Sequence, residues 1–261
     1  YVPGTEASSE EMKSLAFAID KAGEGTLEIV SDWLDKEIEM SWMKEYVKKS
    51  DCGLTVLQTS GDALKTILFC EEQFLKGKNV RPQFPGRNVG MMFGLESSLH
   101  PFIGHPSYRE IAELPLSERV QIMRDPAFKE RLLNEKPNFA SEIEKSLNEQ
   151  GNTKSEDEIK EAANLGLKLI SNYDTQFILG DPPNYEPGKE DSITALAESK
   201  GVSELEVIYD EFLKNEGTNL VYACFTPYDN HKLDFVERFY SLKSSVAGGS
   251  DGGAHCGLIC D

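Results

Sequence analysis

The sequence predicts an α/β protein built on a parallel sheet, either open or closed into a barrel. Helical and strand-like segments alternate along residues 8–85 in the order helix, strand, helix, strand, helix, strand. Such alternation is typical of a parallel sheet. The chain has 261 residues, a length that is common among single α/β barrels.

The first half of the chain gives the clearest local signals. A serine, Ser8 or Ser9, is placed to cap a helix that carries acidic residues in its first turn, and Gly23 is placed to end it. Apolar and β-branched residues predict strands, and helical periodicity predicts the segments between them. The elements that follow the first helix are a strand at Thr26–Asp32, a helix at Lys36–Lys48, a strand at Leu54–Gln58, a helix closing at Gly77 and a strand breaking at Pro85.

The second half is less regular. Prolines at 106, 115 and 126 predict a series of short helices. Residues 141–163 carry seven acidic residues against three lysines, which predicts a solvated acidic insertion. Alternation then returns, with an S-x-x-E capping box at Ser203. The predicted elements are strands in "TQFILGD", Leu220–Phe225 and "SVAGGSD", and helices at Ser192–Lys200, Ser203–Asn215 and in "HKLDFVERFYSLK".

Composition excludes several classes of partner. The net charge is −18 and the pI is near 4.7, whereas nucleic acids and anionic membrane surfaces attract clustered Lys and Arg. No stretch of the sequence approaches the ~18 apolar residues of a membrane span. We therefore expect neither a nucleic-acid partner nor a membrane partner.

Cysteine use indicates a reducing compartment. The five cysteines form no CxxC pair, and their number is odd. We therefore expect no disulfide framework. We expect a cytoplasmic location and buried free thiols instead.

Candidate functional residues follow the predicted strands, where the sites of α/β proteins lie. Asp251 ends a strand of small residues and is followed by Gly252 and Gly253, which let a backbone turn tightly and let a ligand approach closely. A carboxylate there suits a general base or a metal ligand, and it equally suits a helix cap. His255 is a candidate binding residue or a packed histidine, and Arg87, which follows the third strand, is a candidate substrate-binding residue.

The other histidines are less promising. His100 and His105 are five residues apart and each is followed by proline, a spacing that suits no metal-binding face of a helix. We therefore predict structural roles for both. The sequence contains no phosphate-binding P-loop.

The segment "AGGSDGGAHCGLICD" resembles the G-x-S-D-x-G-A-H segment near the end of the barrel in metal-dependent amidohydrolases of the N-acyl-D-amino-acid deacylase (D-aminoacylase) group. "YVPGTEASSEEMKSLAFAI" resembles the V-P-G-T-x-A segment of the same family. "PSYREIAELPLSERVQIMRDP" and "DSITALAESKGVSELEVIYDEFL" also resemble family segments. The four segments occur in the family's order and cover nearly the whole chain.

The resemblance implies a (β/α)8 TIM barrel and hydrolysis of the C–N bond of an N-acyl amino acid or a related small amide. It implies one or two zinc ions, and Asp251 as the residue that takes a proton from metal-bound water and passes it to the leaving nitrogen, while also serving as a metal ligand. We expect Gly252, Gly253, His255 and Arg87 to bind the substrate.

The sequence also departs from the family. The H-x-H metal pair of the first strand, the cysteine ligand after it and the small β-sandwich are not in residues 1–261. We therefore expect this chain to be the C-terminal part of a barrel within a longer protein, with the other zinc ligands upstream of Tyr1. Such an incomplete barrel would leave strand edges unpaired, so we expect 1–261 alone to self-associate.

Two histidine ligands from middle strands also have no counterpart, and Asp32 and Gln58 are the candidates to replace them. Two alternatives therefore stay open. One is a divergent barrel that binds a small molecule without hydrolysing it. The other is a metal-free hydrolase that uses Asp251 and Asp32 as paired carboxylates.

Overall fold

The computed structural model describes residues 7–30, 36–58, 64–141, 155–226, 228, 230–249, 259 and 260. The chain divides into two compact units. The parallel-sheet unit is drawn from Tyr1–Arg87 and Leu233–Ser250. The antiparallel-sheet unit is drawn from Asn88–Lys232 and includes the short strand at Ile259–Cys260.

Both units combine helices with a four-stranded sheet. The strands are β1 (Thr26–Val30), β2 (Gly53–Leu57), β3 (Val80–Phe84), β4 (Val89–Phe93), β5 (Gln176–Ile178), β6 (Val221–Thr226), β7 (Val246–Ala247) and β8 (Ile259–Cys260). The α-helices are α1 (Ser9–Ala22), α2 (Lys36–Lys49), α3 (Leu64–Leu75), α4 (Pro106–Arg109), α5 (Leu116–Met123), α6 (Pro126–Leu133), α7 (Glu156–Ser171), α8 (Ile193–Lys200), α9 (Glu204–Phe212) and α10 (Asp234–Tyr240).

The parallel sheet has the strand order β1-β2-β3-β7, and every pair in it is parallel. Thr26 pairs with Gly53, and Leu54 pairs with Val80. Strands β1, β2 and β3 are therefore neighbours in the sheet and successive in the chain. Strand β7 lies beside β3 but follows it only after residues 88–232, which belong to the other unit. The predicted alternation of helix and parallel strand is confirmed for this unit.

The described helices of this unit pack on one face of the sheet. Side chains of α1, α2 and α3 form one buried cluster with Ile29, Leu54, Val56 and Val80. Side chains of α3 and α10 form a second cluster around Phe84. Because successive strand residues point to opposite faces, these five sheet residues share a single face. Alternate residues such as Leu57 and Gln83 belong to the other face.

Local capping explains the first helix. The Ser8 hydroxyl accepts a hydrogen bond from the Glu11 amide at 3.2 Å, and Gly23 takes a left-handed conformation with φ of 88° at the C-terminal end. Both ends of α1 were predicted from these residues, and both predictions are confirmed. Its buried residue, Ala16, joins the core formed with α2 and the sheet.

The second sheet corrects part of the sequence prediction. The strands predicted in "TQFILGD" and at Leu220–Phe225 exist as β5 and β6, but their pairing is antiparallel, in the order β5-β6-β4-β8. The parallel sheet predicted from the alternation in the first half therefore does not extend to these strands. Strand β4 was not predicted, because "VGMMF" has one β-branched residue and a glycine. Gly90 fits because a Cβ there would lie 2.4 Å from the Tyr222 ring.

Short helices surround the antiparallel sheet, as the prolines predicted. Pro106 and Pro126 begin α4 and α6, and Pro115 precedes α5. The Ser203 hydroxyl accepts from the Glu206 amide at 3.2 Å, which confirms the predicted N-terminus of α9. Aromatic side chains, including Phe102, pack in this core together with aliphatic ones.

The predicted acidic insertion, residues 141–163, is described only in part. Residues 142–154 lie outside the described residues, and α7 begins at Glu156. Among the described helices, none combines the length and apolar character needed to cross a membrane.

Candidate functional site

Most of the predicted site residues lie outside the part of the chain that the structure describes. These are Asp251, Gly252, Gly253 and His255, together with the alternative carboxylate Asp32. Arg87 is described. It is half-buried, follows β3 by three residues and is the last residue of the first segment of the parallel-sheet unit.

The carboxyl ends of β2, β3 and β7 meet at one edge of the sheet. The backbone N–H of Gln58 donates to the backbone carbonyl of Gln83 at 2.8 Å, and the backbone N–H of Gly248 donates to the backbone carbonyl of Phe84 at 3.2 Å. The chain therefore leaves three neighbouring strands from a common edge. In α/β proteins this edge is where ligands bind and where catalytic residues are found.

Two glycines at this edge are closely packed. A Cβ at Gly248 would lie 2.1 Å from the Gln83 side-chain nitrogen, and a Cβ at Gly249 would lie 2.3 Å from a methyl carbon of Leu57. Gly249 also has φ of 83°, a conformation that other residues rarely adopt. The small residues that precede Asp251 therefore let the chain pass directly over the side chains of β2 and β3.

Gln83 presents a polar group at this edge. Its side-chain oxygen Oε1 is buried and has no hydrogen-bond partner among the described residues. An amide oxygen that lacks a partner is available to accept a hydrogen bond from an N–H group. Gln83 therefore has one buried acceptor without a partner among the described residues at the end of β3.

Gln58 is placed differently. It is completely buried, and its Nε2 donates to the Val56 carbonyl at 3.0 Å. Two residues after Val56 along the strand, Gln58 belongs to the face on which the helices pack. Its Oε1 likewise has no partner among the described residues. Gln58 therefore faces the helices and not the opposite face of the sheet, where Gln83 lies. This position disfavours Gln58 as a replacement metal ligand.

Two contacts fix the segment that leads into β7. Glu71 on α3 accepts hydrogen bonds from the Ser244 amide at 3.1 Å and the Ser244 hydroxyl at 2.5 Å. Chiefly through the hydroxyl bond, the pKa of Glu71 is held below its usual range. The Tyr240 hydroxyl donates to the Phe84 carbonyl at 2.5 Å. Together these bonds hold the connection between α10 and β7 on the sheet.

The described residues do not fit a zinc ion. Among them, no group of three or more His, Cys, Asp and Glu side chains could hold a metal. His100 and His105 are both buried in the antiparallel-sheet unit, where the His100 ring lies 4.8 Å from the Tyr108 ring. Burial lowers the pKa of His100 to about 3, so it is neutral and packed. This placement agrees with the structural roles that were predicted for both histidines.

Two of the described cysteines, Cys70 and Cys224, are not activated nucleophiles. Cys52, Cys70 and Cys224 are free, and the last two are buried. Burial raises the pKa of Cys70 and of Cys224 to about 12. A thiol with such a pKa stays protonated at neutral pH, which supports the predicted role as packing residues.

Sequence reasoning missed the Glu71–Ser244 contact and the packing of Gln83 on Gly248. Both join residues that are far apart in the chain, and no local pattern marks them. The glycine pair before Asp251 was the one available signal, since consecutive glycines indicate close backbone approach.

In comparisons with protein-family models, with curated proteins and with solved structures, nothing matches this chain.

Proposed function

We propose that this protein is a hydrolase of the (β/α)8-barrel type that cleaves the C–N bond of an N-acyl amino acid or a related small amide. The observation that carries the proposal is the architecture of the parallel-sheet unit. Strands β1, β2 and β3 are successive in the chain and neighbours in the sheet, and the described helices of the unit pack on one face. Doubly wound sheets place helices on both faces, whereas barrels place them outside a single closed sheet.

The position of Asp251 in the chain supports a catalytic role. It follows the last residue of β7 by four positions, and barrel enzymes draw their catalytic groups from the segments that follow strands. In the proposed reaction the Asp251 carboxylate takes a proton from the attacking water as the water oxygen bonds to the amide carbon. The same carboxyl group then gives that proton to the nitrogen as the C–N bond breaks.

The remaining candidates are assigned to substrate binding. Gly252 and Gly253 allow the backbone to approach the substrate. Arg87 is proposed to pair with the carboxylate of the acylated amino acid, since guanidinium and carboxylate groups match in geometry. His255 is proposed to hydrogen-bond the substrate.

Zinc is part of the proposal through the sequence resemblance alone. When bound, a zinc ion lowers the pKa of a coordinated water to about 7. The described residues provide no ligand group for it. The steps assigned above are therefore those of the protein's own side chains.

The experiment is an activity and metal assay on the purified protein. Zinc content is measured by mass spectrometry, and hydrolysis of N-acetyl and N-formyl amino acids of both configurations is followed with and without added zinc. Asp251→Asn is compared with Asp234→Asn, which changes an exposed aspartate at the start of α10. We expect Asp251→Asn to lower kcat by about 10²–10⁴-fold, the usual range for a general base, and Asp234→Asn to leave it unchanged.

Equal activity of Asp251→Asn and the unmodified protein would refute the role of Asp251. Absence of amidase activity from the folded full-length protein under every metal condition would refute the hydrolase itself.

A binding protein without hydrolysis is the second candidate. The observation that favours it is chemical: Gln83, a neutral amide, occupies the end of β3, and no described group can hold a metal. Under this alternative, N-acyl amino acids would raise the melting temperature without being consumed. The Asp251→Asn variant would then bind them as tightly as the unmodified protein.

A further inference from the structure

Three short hydrogen bonds join four side chains at the turn between α9 and β6, within the antiparallel-sheet unit. Nζ of Lys214 donates to Oε2 of Glu211 at 2.6 Å, and Nδ2 of Asn219 donates to Oε1 of the same carboxylate at 2.6 Å. Nδ2 of Asn215 donates to the side-chain oxygen Oδ1 of Asn219, also at 2.6 Å. One carboxylate therefore links an amine to a side-chain amide, and a second donor holds the oxygen of that amide.

Glu211 is the buried member of this cluster. Its side chain is 4% exposed, whereas the side chain of Lys214 is 58% exposed. Because little water competes for a buried carboxylate, its hydrogen bonds to protein groups are strengthened. The amine of Lys214 and the amide of Asn219 are therefore held on the two oxygens of one group that can carry protons.

The backbone of the turn is strained where it brings these side chains together. Asn215 and Glu216 both take left-handed conformations, with φ of 45° and 55°, which residues other than glycine adopt at a cost. Lys214 and Asn219 are five residues apart in the chain, and across this turn they reach the same carboxylate. Strained residues persist where the surrounding structure holds them in place. A covalent bond across the turn would hold it permanently.

We propose that Lys214 and Asn219 form an intramolecular isopeptide bond, with Glu211 as the proton carrier. Glu211 takes a proton from Nζ of Lys214, which frees the nitrogen lone pair to attack Cγ of Asn219. As the new N–C bond forms, negative charge develops on Oδ1 of Asn219. The N–H of Asn215 that already donates to Oδ1 stabilises this charge.

Ammonia is the leaving group. Glu211 gives its proton to Nδ2 of Asn219, and the Cγ–Nδ2 bond breaks. Glu211 then carries a second proton from the newly bonded nitrogen of Lys214 to the departing ammonia. A lysine ammonium and an asparagine amide are thus converted into a secondary amide and an ammonium ion. The total charge is unchanged, no further reactant is consumed, and Glu211 ends as the carboxylate it was.

The bond would brace the turn that leads into β6. Strand β6 lies between β5 and β4 in the antiparallel sheet, so this turn sets where a central strand begins. The proposal does not depend on the proposed hydrolase activity, because every reacting group belongs to the turn itself.

Intact-mass spectrometry of the purified protein tests the proposal. We expect a mass lower than that of the sequence by one ammonia. Trypsin cleaves after unmodified lysine, so it should fail to cleave after Lys214. Residues 201–232 should then appear as one peptide that carries the loss of ammonia.

Three variants show whether these groups are responsible. Lys214→Arg keeps a positive charge beside Glu211 but removes the nucleophilic amine, and Glu211→Gln keeps the shape of the side chain but removes the proton carrier. Both should have the full masses of their sequences. The matched control is Lys200→Arg, the same change at an exposed lysine of the same unit, which should still lose ammonia. Circular dichroism shows whether each variant is folded.

Three results would overturn the proposal. The first is an unmodified protein that keeps its full mass and is cleaved after Lys214, even after prolonged incubation. The second is a loss of ammonia that persists in Lys214→Arg, which would mean that an asparagine has cyclised onto the backbone instead. The third is equal formation of the bond in Glu211→Gln, which would remove the role given to Glu211.

Discussion

The contact between Glu71 and Ser244 gives the most direct test of how the candidate edge is built. Ser244 is completely buried, and both its amide and its hydroxyl donate to Oε2 of Glu71. Glu71→Gln keeps the shape of the side chain and an oxygen acceptor but removes the charge. Hydrogen bonds to charged groups contribute about 1.5–3 kcal/mol, against about 0.5–1.5 kcal/mol for neutral pairs. Two bonds therefore predict a loss of about 2 kcal/mol.

Tryptophan fluorescence isolates the unit concerned. The chain has two tryptophans, Trp33 and Trp42, and both belong to the parallel-sheet unit. Urea unfolding followed by this signal should show a midpoint about 1 M lower for Glu71→Gln, given a typical dependence of about 2 kcal/mol per M. The control is Glu72→Gln, which removes an exposed ion pair with Lys76 and is expected to leave the urea midpoint nearly unchanged.

The pH dependence follows from the lowered pKa of Glu71. A carboxylate with a depressed pKa in the folded state stabilises the fold above its unfolded pKa of about 4.3, and this contribution is lost as the pH falls through the folded value. The difference in urea midpoint between the unmodified protein and Glu71→Gln should therefore be largest at pH 7 and should shrink as the pH falls below 4.3. Equal midpoints of the two proteins at pH 7 would refute the role given to this contact.

Three further outcomes are expected. Gly249→Ala should destabilise the protein by about 1–3 kcal/mol more than Gly23→Ala, because both have positive φ but a Cβ is crowded only at the former; equal urea midpoints would contradict this. Tyr209→Phe should cost about 1–2 kcal/mol in thermal unfolding, since the buried hydroxyl donates to the Met123 carbonyl at 2.6 Å. The His100 ring should not titrate in NMR spectra between pH 4 and 8. Its pKa of about 3 also means that stability falls as the pH drops below 6.5, where only the unfolded chain gains the proton.

The elements that sequence reasoning predicted well are those with local signals. Ser8 and Gly23 fix the two ends of α1, and Ser203 fixes the start of α9. Each signal acts within a few residues, through a cap hydrogen bond or a left-handed backbone. The parallel pairing of β1, β2 and β3 also followed from alternation, because each crossover is a single helix.

Strand β4 could not be predicted because its partners lie far away in the chain. Its ladder with β6 pairs Met91 with Ala223, and Gly90 is accepted because the Tyr222 ring occupies the space of a side chain. No feature of the segment "VGMMF" predicts the pairing with β6 or the contact of Gly90 with the Tyr222 ring. The antiparallel arrangement of β5 and β6 was missed for the same reason, since strand direction is a property of the pairing.

The two glycine pairs that flank Ser250-Asp251 need separate explanations. Gly248 and Gly249 are accounted for by packing, because side chains of Gln83 and Leu57 occupy the space that their Cβ atoms would need. Their presence is therefore no evidence of a ligand. Gly252 and Gly253 lie outside the described residues, and they remain part of the proposed site. Glycine content alone thus does not mark a binding loop in this chain; the case for one depends on Asp251 and on the edge from which β7 leaves the sheet.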